Sequence, residues 1–283
     1  MSARILYGKP PADALLSDLK TDIQTLNPKL VIIQVGDDPA STSYISQKMK
    51  SCAAVGLRYE HRHLLETTTL ATLLALIEEL NFDDDTTGFI IQLPLPPHLH
   101  SHVPVILRAI DPRKDVDGFG AYNLGKLLLS KDFEHLPPAT PSGVITLLSY
   151  YTIDPAGTHA VVVGRSNIVG KPLSLMLLNR DATVTVCHSR SPHLSSITRQ
   201  ADLLFSAVGK AKLITADMVK PGAVVIDIGI SRTNEGLKGD VDFDQVRDVA
   251  SAITPVPGGV GPLTVACLLK KKKKKKKRQL SDK

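Results

Sequence analysis

The stretch Val161-Val162-Val163-Gly164-Arg165-Ser166-Asn167-Ile168-Val169-Gly170-Lys171-Pro172 decides the fold. A β-branched run stops at a glycine, and an apolar segment with a proline near its start follows, as where a buried strand hands over to a helix. Gly164 permits a tight turn, and the amides that open the helix can cradle a pyrophosphate. The pattern is GxSxxxG rather than GxGxxG, and many tight turns share two glycines, so the surroundings must support it. Strands are predicted at 159–163, 182–187, 202–208 and 223–228, joined by segments too long for hairpins. That spacing predicts a doubly wound parallel sheet. Upstream, 143–151 reads as a helix, and Pro137, Pro138 and Pro141 mark a boundary.

The turn after the second of these strands indicates the cofactor. A site that prefers NAD places Asp or Glu about 20 residues beyond the glycine turn, to accept the ribose hydroxyls. Here the strand ends Cys187-His188-Ser189-Arg190, with hydroxyl and basic groups and no acid. A 2′-phosphate would meet Arg165, Ser189 and Arg190, so NADP is expected.

The first half of the chain alternates in the same way. Residues 30–35 (LVIIQV) and 88–93 (GFIIQL) read as buried strands, and prolines 94, 96 and 97 end the second. Residues 69–80 form a helical pattern, and a helix capped by Ser41 carries Tyr44, Lys48, Cys52 and Val55 at intervals of three or four. An α/β protein of two domains follows: a three-layer α/β catalytic domain over residues 1–139 and a Rossmann-type domain over 140–262.

Charge and cysteine content narrow the function. The net charge of +6 comes from the end of the chain. Residues 270–283 hold ten basic residues against Asp282, a net +9, and the rest holds 24 basic and 27 acidic residues, a net −3. A folded body of that charge is not a nucleic-acid binder, and Lys270–Lys277 reads as a solvated, self-repelling tail. No apolar run approaches the roughly 18 residues of a membrane span. Cys52, Cys187 and Cys267 lack metal or disulfide spacing and fit a reducing cytoplasm. His98, His100 and His102 alternate, which on an extended segment would align three imidazoles. With no Cys or carboxylate beside them they read as an exposed loop, and no metal site is expected.

Tyr44 and Lys48 lie four apart, on one helix face, where phenol and ammonium can shift each other's pKa. Short-chain dehydrogenases use this Tyr-x-x-x-Lys spacing after their nucleotide turn, whereas here it precedes Gly164 by more than a hundred residues. In order along the chain stand STSYISQK (41–48), QLPLP (92–96), DVDG (115–118), GRSNIVG (164–170) and TPVPGGVGP (254–262). Together they resemble the bifunctional methylenetetrahydrofolate dehydrogenase/methenyltetrahydrofolate cyclohydrolase family over about residues 1–269.

The resemblance implies oxidation of 5,10-methylenetetrahydrofolate by hydride transfer to NADP, then hydrolysis of the methenyl cation to 10-formyltetrahydrofolate. It makes Lys48 the central cyclohydrolase residue, with a lowered pKa, positioned by Gln92. Tyr44 would pack on the folate, and Asp117 would accept hydrogen bonds from the pterin. These four form the catalytic set, and Pro257, Gly258 and Gly259 would join them in binding substrate. Gly164, Arg165, Ser166, Ser189 and Ile230 would bind NADP. The resemblance also implies a homodimer formed through the nucleotide domains, and a C-terminal helix, 263–283, that rejoins the first domain and whose order past Leu269 the lysine run puts in question.

Overall fold

The computed structural model describes residues 2–234 and 236–281, without the side chains of Ala40 and residues 271–281. In chain order the elements begin β1 (Arg4–Ile5), α1 (Lys9–Leu26), β2 (Lys29–Val35), α2 (Pro39–Val55), β3 (Arg58–Leu64), α3 (Leu70–Phe82) and β4 (Gly88–Ile91). They continue with α4 (Val103–Ala109), α5 (Ala121–Leu127), α6 (Ala139–Tyr150), β5 (His159–Val163), α7 (Gly170–Leu178), β6 (Thr183–Cys187) and α8 (Leu194–Thr198). The last are β7 (Leu203–Ser206), β8 (Val224–Asp227), β9 (Ser231–Thr233), β10 (Gly236–Lys238), α9 (Phe243–Val246), β11 (Ala252–Ile253) and α10 (Val260–Ser281). Two compact units result, one built on Ala14–Lys126 and the other on Pro138–Cys267.

The first unit holds a three-stranded parallel sheet in the order β3-β2-β4. The central strand is buried from Leu30 to Val35, as expected of a strand flanked on both sides, and pairs Leu30–Ile33 with Gly88–Ile91. Helix α3 turns Leu73, Ile77 and Leu80 inward at spacings of four and three, against Val31, Ile33, Phe89 and Ile91.

Helix α2 starts earlier than the sequence suggests. Asp38, not Ser41, is its cap: the Asp38 carboxylate accepts from Ser41 N at 2.7 Å, with Pro39 in the first turn. At its end Gly56 is left-handed, and Gly56 N and Leu57 N donate to Ala53 O and Cys52 O, closing two of the open carbonyls. Replacing Asp38 by Ala should cost about 1 kcal/mol of stability by urea unfolding, with Ser41→Ala smaller. The reverse ranking would return the cap to Ser41.

The second unit carries a six-stranded sheet in the order β1-β11-β8-β7-β5-β6, parallel throughout. The chain runs outward from β5 to β6 and then returns to β7 on the other side of β5. The strand order therefore reverses at β5, where doubly wound sheets open a ligand crevice. Strand β1 departs from the predicted division at residue 139, because it pairs with β11 in this sheet. Its neighbours explain why: Ala3 and Ile5 pack in the same apolar core as Val225 and Ile253.

The alternating histidines lie on a turn, with His98 and His100 exposed. Pro97–His102 is a 3₁₀ turn, not an extended segment, and His98 and His100 bond the carbonyls of Thr68 and Leu95 at 3.0 and 2.6 Å. Among the described residues no cluster of three His, Cys, Asp or Glu side chains could hold a metal, and no helix is long and apolar enough to cross a membrane. The expected solvated lysine side chains beyond Lys270 lie outside the described residues.

Candidate active site

Two functional regions emerge, one in each unit. In the first, Lys48 on α2 points to the end of β4. Its Nζ donates to Gln92 Oε1 at 3.0 Å. Gln92 is itself fixed, because its backbone N–H donates to Ile33 O at 2.8 Å and its Nε2 donates to Leu93 O at 2.7 Å. With the amide nitrogen committed to a carbonyl, the oxygen must face Lys48, so Gln92 orients the amine as an acceptor. Burial of the ammonium is the strongest influence on Lys48 and lowers its pKa, against smaller upward pulls from Asp117 and Cys52.

Ser41, Tyr44 and Lys48 recur on one side of α2, and Tyr44 stays 44% exposed, with its ring available to a ligand. The Ser41 hydroxyl is buried and without a hydrogen-bond partner among the described residues.

Asp117 owes its setting to a residue the sequence reading overlooked. Asp115 is 3% exposed and bridges Phe89 at the edge of β4. Its Oδ1 accepts from Gly118 N and Phe119 N, and its Oδ2 from Gly120 N and Asn123 Nδ2, at 2.8–3.3 Å. These bonds wrap the loop that presents partly buried Asp117. The signal was in the DVDG motif, which sets a second acid two residues before Asp117.

In the second unit the glycine turn follows β5 as expected. Gly164 has φ +129°, and a Cβ there would lie 2.5 Å from Ala207 O; one on Gly170 would lie 2.1 Å from Gly164 O. Such a backbone cradle suits a pyrophosphate pressed against bare main chain. Ser166 stands inside this turn. Its Oγ accepts from Val169 N at 3.1 Å and Gly170 N at 3.3 Å, so two of the expected free amides are already capped. The hydroxyl proton remains able to donate to an anion. Residues 165–168 are exposed.

After β6, a turn closed by Ser191 N to His188 O at 2.8 Å leaves Ser189 and Arg190 exposed, with no acidic residue in the turn. Ile230, after β8, is 42% exposed. Arg165, Ser189 and Ile230 therefore follow the carboxyl ends of three parallel strands, where a dinucleotide fits. Within the Pro/Gly segment, Pro257 and Gly258 are exposed but Gly259 is buried. A Cβ on Gly259 would lie 2.6 Å from Pro255 O, so a glycine is needed there for the loop to close on itself.

Comparison with known proteins gives a consistent result. The family model for the tetrahydrofolate dehydrogenase/cyclohydrolase catalytic domain matches residues 6–117, and that for its NAD(P)-binding domain matches residues 138–280. A Bifunctional protein FolD of Oleidesulfovibrio alaskensis is 52% identical over 275 residues, covering 94% of this chain and 95% of its own. One of Campylobacter concisus is also 52% identical, over 272 residues, with 94% and 95% covered. The crystal structure of the bifunctional enzyme FolD of Campylobacter jejuni superposes with a TM-score of 0.95 at 45% identity, covering 98% of this chain and all of that one. The Trypanosoma brucei methylenetetrahydrofolate dehydrogenase-cyclohydrolase, solved with NADP cofactor and an inhibitor, gives 0.93 at 35% identity, with 99% of each chain covered.

Proposed function

The chain belongs to the tetrahydrofolate dehydrogenase/cyclohydrolase family, and from that premise we propose how its residues divide the two reactions. It is a bifunctional enzyme that oxidises 5,10-methylenetetrahydrofolate with NADP and hydrolyses the methenyl product to 10-formyltetrahydrofolate. The observation that supports this most is the Lys48 amine, with its pKa lowered by burial and held on Gln92 Oε1.

Hydrolysis needs a group that takes the proton of the attacking water. A neutral Lys48 amine can do so, and the cationic substrate opposes its protonation further. Gln92 holds the amine in place, Tyr44 packs its ring on the folate, and Asp117 accepts from the pterin amino and ring N–H groups. A partnerless buried hydroxyl costs about 1–3 kcal/mol, so Ser41 is suited to a polar group of the substrate. Oxidation asks less of the side chains. Bound at the glycine turn, NADP supplies the hydride acceptor. The protein's part is to hold the folate in reach and exclude alternatives. Gly164, Arg165, Ser166, Ser189 and Ile230 hold the dinucleotide, and Pro257, Gly258 and Gly259 border the folate.

We further assign the chain to the cytoplasm and to a homodimer. Three buried free cysteines support the first. For the second, β6 ends the six-stranded sheet and leaves Val186 39% exposed, an edge suited to a second copy. Light scattering at the mass of one chain would remove the dimer.

The deciding assay follows NADPH and methenyltetrahydrofolate together, with NADP and NAD compared. NADP should be preferred, and Arg165→Ala should reduce that preference about tenfold, the worth of one charge-assisted contact. Equal use of both nucleotides by the unaltered enzyme would refute the roles of Arg165 and Ser189.

A further inference from the structure

Two buried carboxylates outside these roles bind together the loops around the glycine turn. Asp227, the last residue of β8, is 3% exposed. Its Oδ1 accepts from Gly229 N at 3.1 Å and Asp240 N at 3.0 Å, and its Oδ2 from Val241 N at 2.9 Å. Thr254 Oγ1, where the Pro/Gly segment begins, accepts from Asp227 N at 2.7 Å.

Asp227 thereby fixes the segment that carries Asp240, which is fully buried. Asp240 Oδ2 accepts from Ser206 Oγ at 2.9 Å and Val208 N at 2.7 Å, and its Oδ1 from Lys210 N at 2.8 Å. Every one of these partners lies on the end of β7 or the loop after it.

That loop abuts the nucleotide turn. Ala207 N donates to Val163 O at 2.8 Å, and Ala207 O is the atom a Cβ on Gly164 would strike. On its other side, a Cβ on Gly209 would find Ile230 O at 3.9 Å as its nearest neighbour. The fit around the acids is tight, since a Cβ on Gly229 would lie 2.0 Å from the Asp240 carboxylate and one on Gly239 2.0 Å from that of Asp227.

We propose that Asp240, held by Asp227, is a positioning residue for NADP, fixing residues 206–210 between the Gly164 turn and Ile230 so that the dinucleotide meets a preformed edge. This rests on the assignment of that edge to NADP. Two amides and the Ser206 hydroxyl tie residues 206–210 to Asp240, and three further amides tie Asp227 to Gly229 and to the segment that carries Asp240. They are what a rigid binding edge needs. Burial pushes the Asp227 carboxyl up to about 7 against the pull of its amides, so this arrangement is maintained at a cost.

Asp240→Asn keeps the volume but turns one acceptor into a donor facing N–H groups. Calorimetric titration with NADP, in the absence of folate, should show about tenfold weaker binding. The cyclohydrolase rate without nucleotide should hold within about twofold. Ser206→Ala, which removes one hydroxyl bond and leaves both carboxylates, should weaken NADP binding in the same direction by less. If the unaltered chain does not bind NADP, the cofactor reading itself fails. If it binds, but Ser206→Ala and any folded Asp240→Asn bind equally well, the positioning role alone is overturned. A parallel fall in both activities with unchanged NADP affinity would make the pair merely structural.

Discussion

Replacing Lys48 by methionine is expected to lower hydrolysis of methenyltetrahydrofolate by about 10³-fold, within the range by which a general acid–base group speeds a reaction. Methionine keeps the length of the side chain and removes the amine, so the loss reports proton transfer rather than packing. Lys48→Arg should be equally inactive, because guanidinium remains charged at any working pH and cannot accept the water's proton. Oxidation of methylenetetrahydrofolate should fall much less, since hydride transfer asks nothing of an acid or base here. Hydrolysis by Lys48→Met at the unaltered rate would sink the assignment.

The same substitution should stabilise the protein. Burial lowers the pKa of Lys48 below the 10.5 of a free lysine, so below that value the unfolded chain binds a proton that the native state resists. Stability contributed by this group therefore rises with pH toward 10.5 and is smallest below its native pKa. Methionine removes that penalty, so the variant should melt higher near neutral pH, with the advantage shrinking as pH rises toward 10.5. Loss of an activity with gain of stability is the signature of a strained functional group. An advantage that grows with pH would mean that Asp117 or Cys52, not burial, governs the amine.

The parts of this arrangement that were legible in the sequence share a cause. Val161–Pro172 gave its strand, turn and helix because glycine, β-branched residues and proline act within a few positions of one another. Lys48 and Gln92, 44 residues apart, meet only through the register of β2 with β4. No local pattern carries that, and only the likeness to a family paired them. Strand β3, RYEHRHL, went unassigned for a related reason. It is an edge strand that, unlike the buried edge strand β4, exposes charged side chains and has no apolar run to announce it. Asp38 lost the cap to Ser41 in the reading because either can fill it, and a proline at the next position permits the earlier start. The hidden carboxylates are the hardest case. Asp115, Asp227 and Asp240 end strands or open loops, where an acid ordinarily signals a solvated turn, and only three dimensions reveal the amides that surround them.

Asp115 yields the second large effect. Removing its carboxylate in Asp115→Ala leaves four donors, on Gly118, Phe119, Gly120 and Asn123, without their acceptor. Each orphaned buried donor costs about 1–3 kcal/mol, and with relaxation the sum should come to about 3–5 kcal/mol by urea unfolding. Asparagine offers little relief. Its oxygen could still serve Gly118 and Phe119, but its amide nitrogen would face Gly120 N and Asn123 Nδ2, both of them donors. Function should fail differently from Lys48→Met. Asp117 stands in the loop that Asp115 wraps, and its proposed grip on the pterin is needed for both reactions. The KM for folate should therefore rise in dehydrogenase and cyclohydrolase assays alike, while binding of NADP alone is spared. A folded Asp115→Ala enzyme with both KM values unchanged would show that Asp117 holds its place without this carboxylate, and Asp115 would then be a residue of stability only.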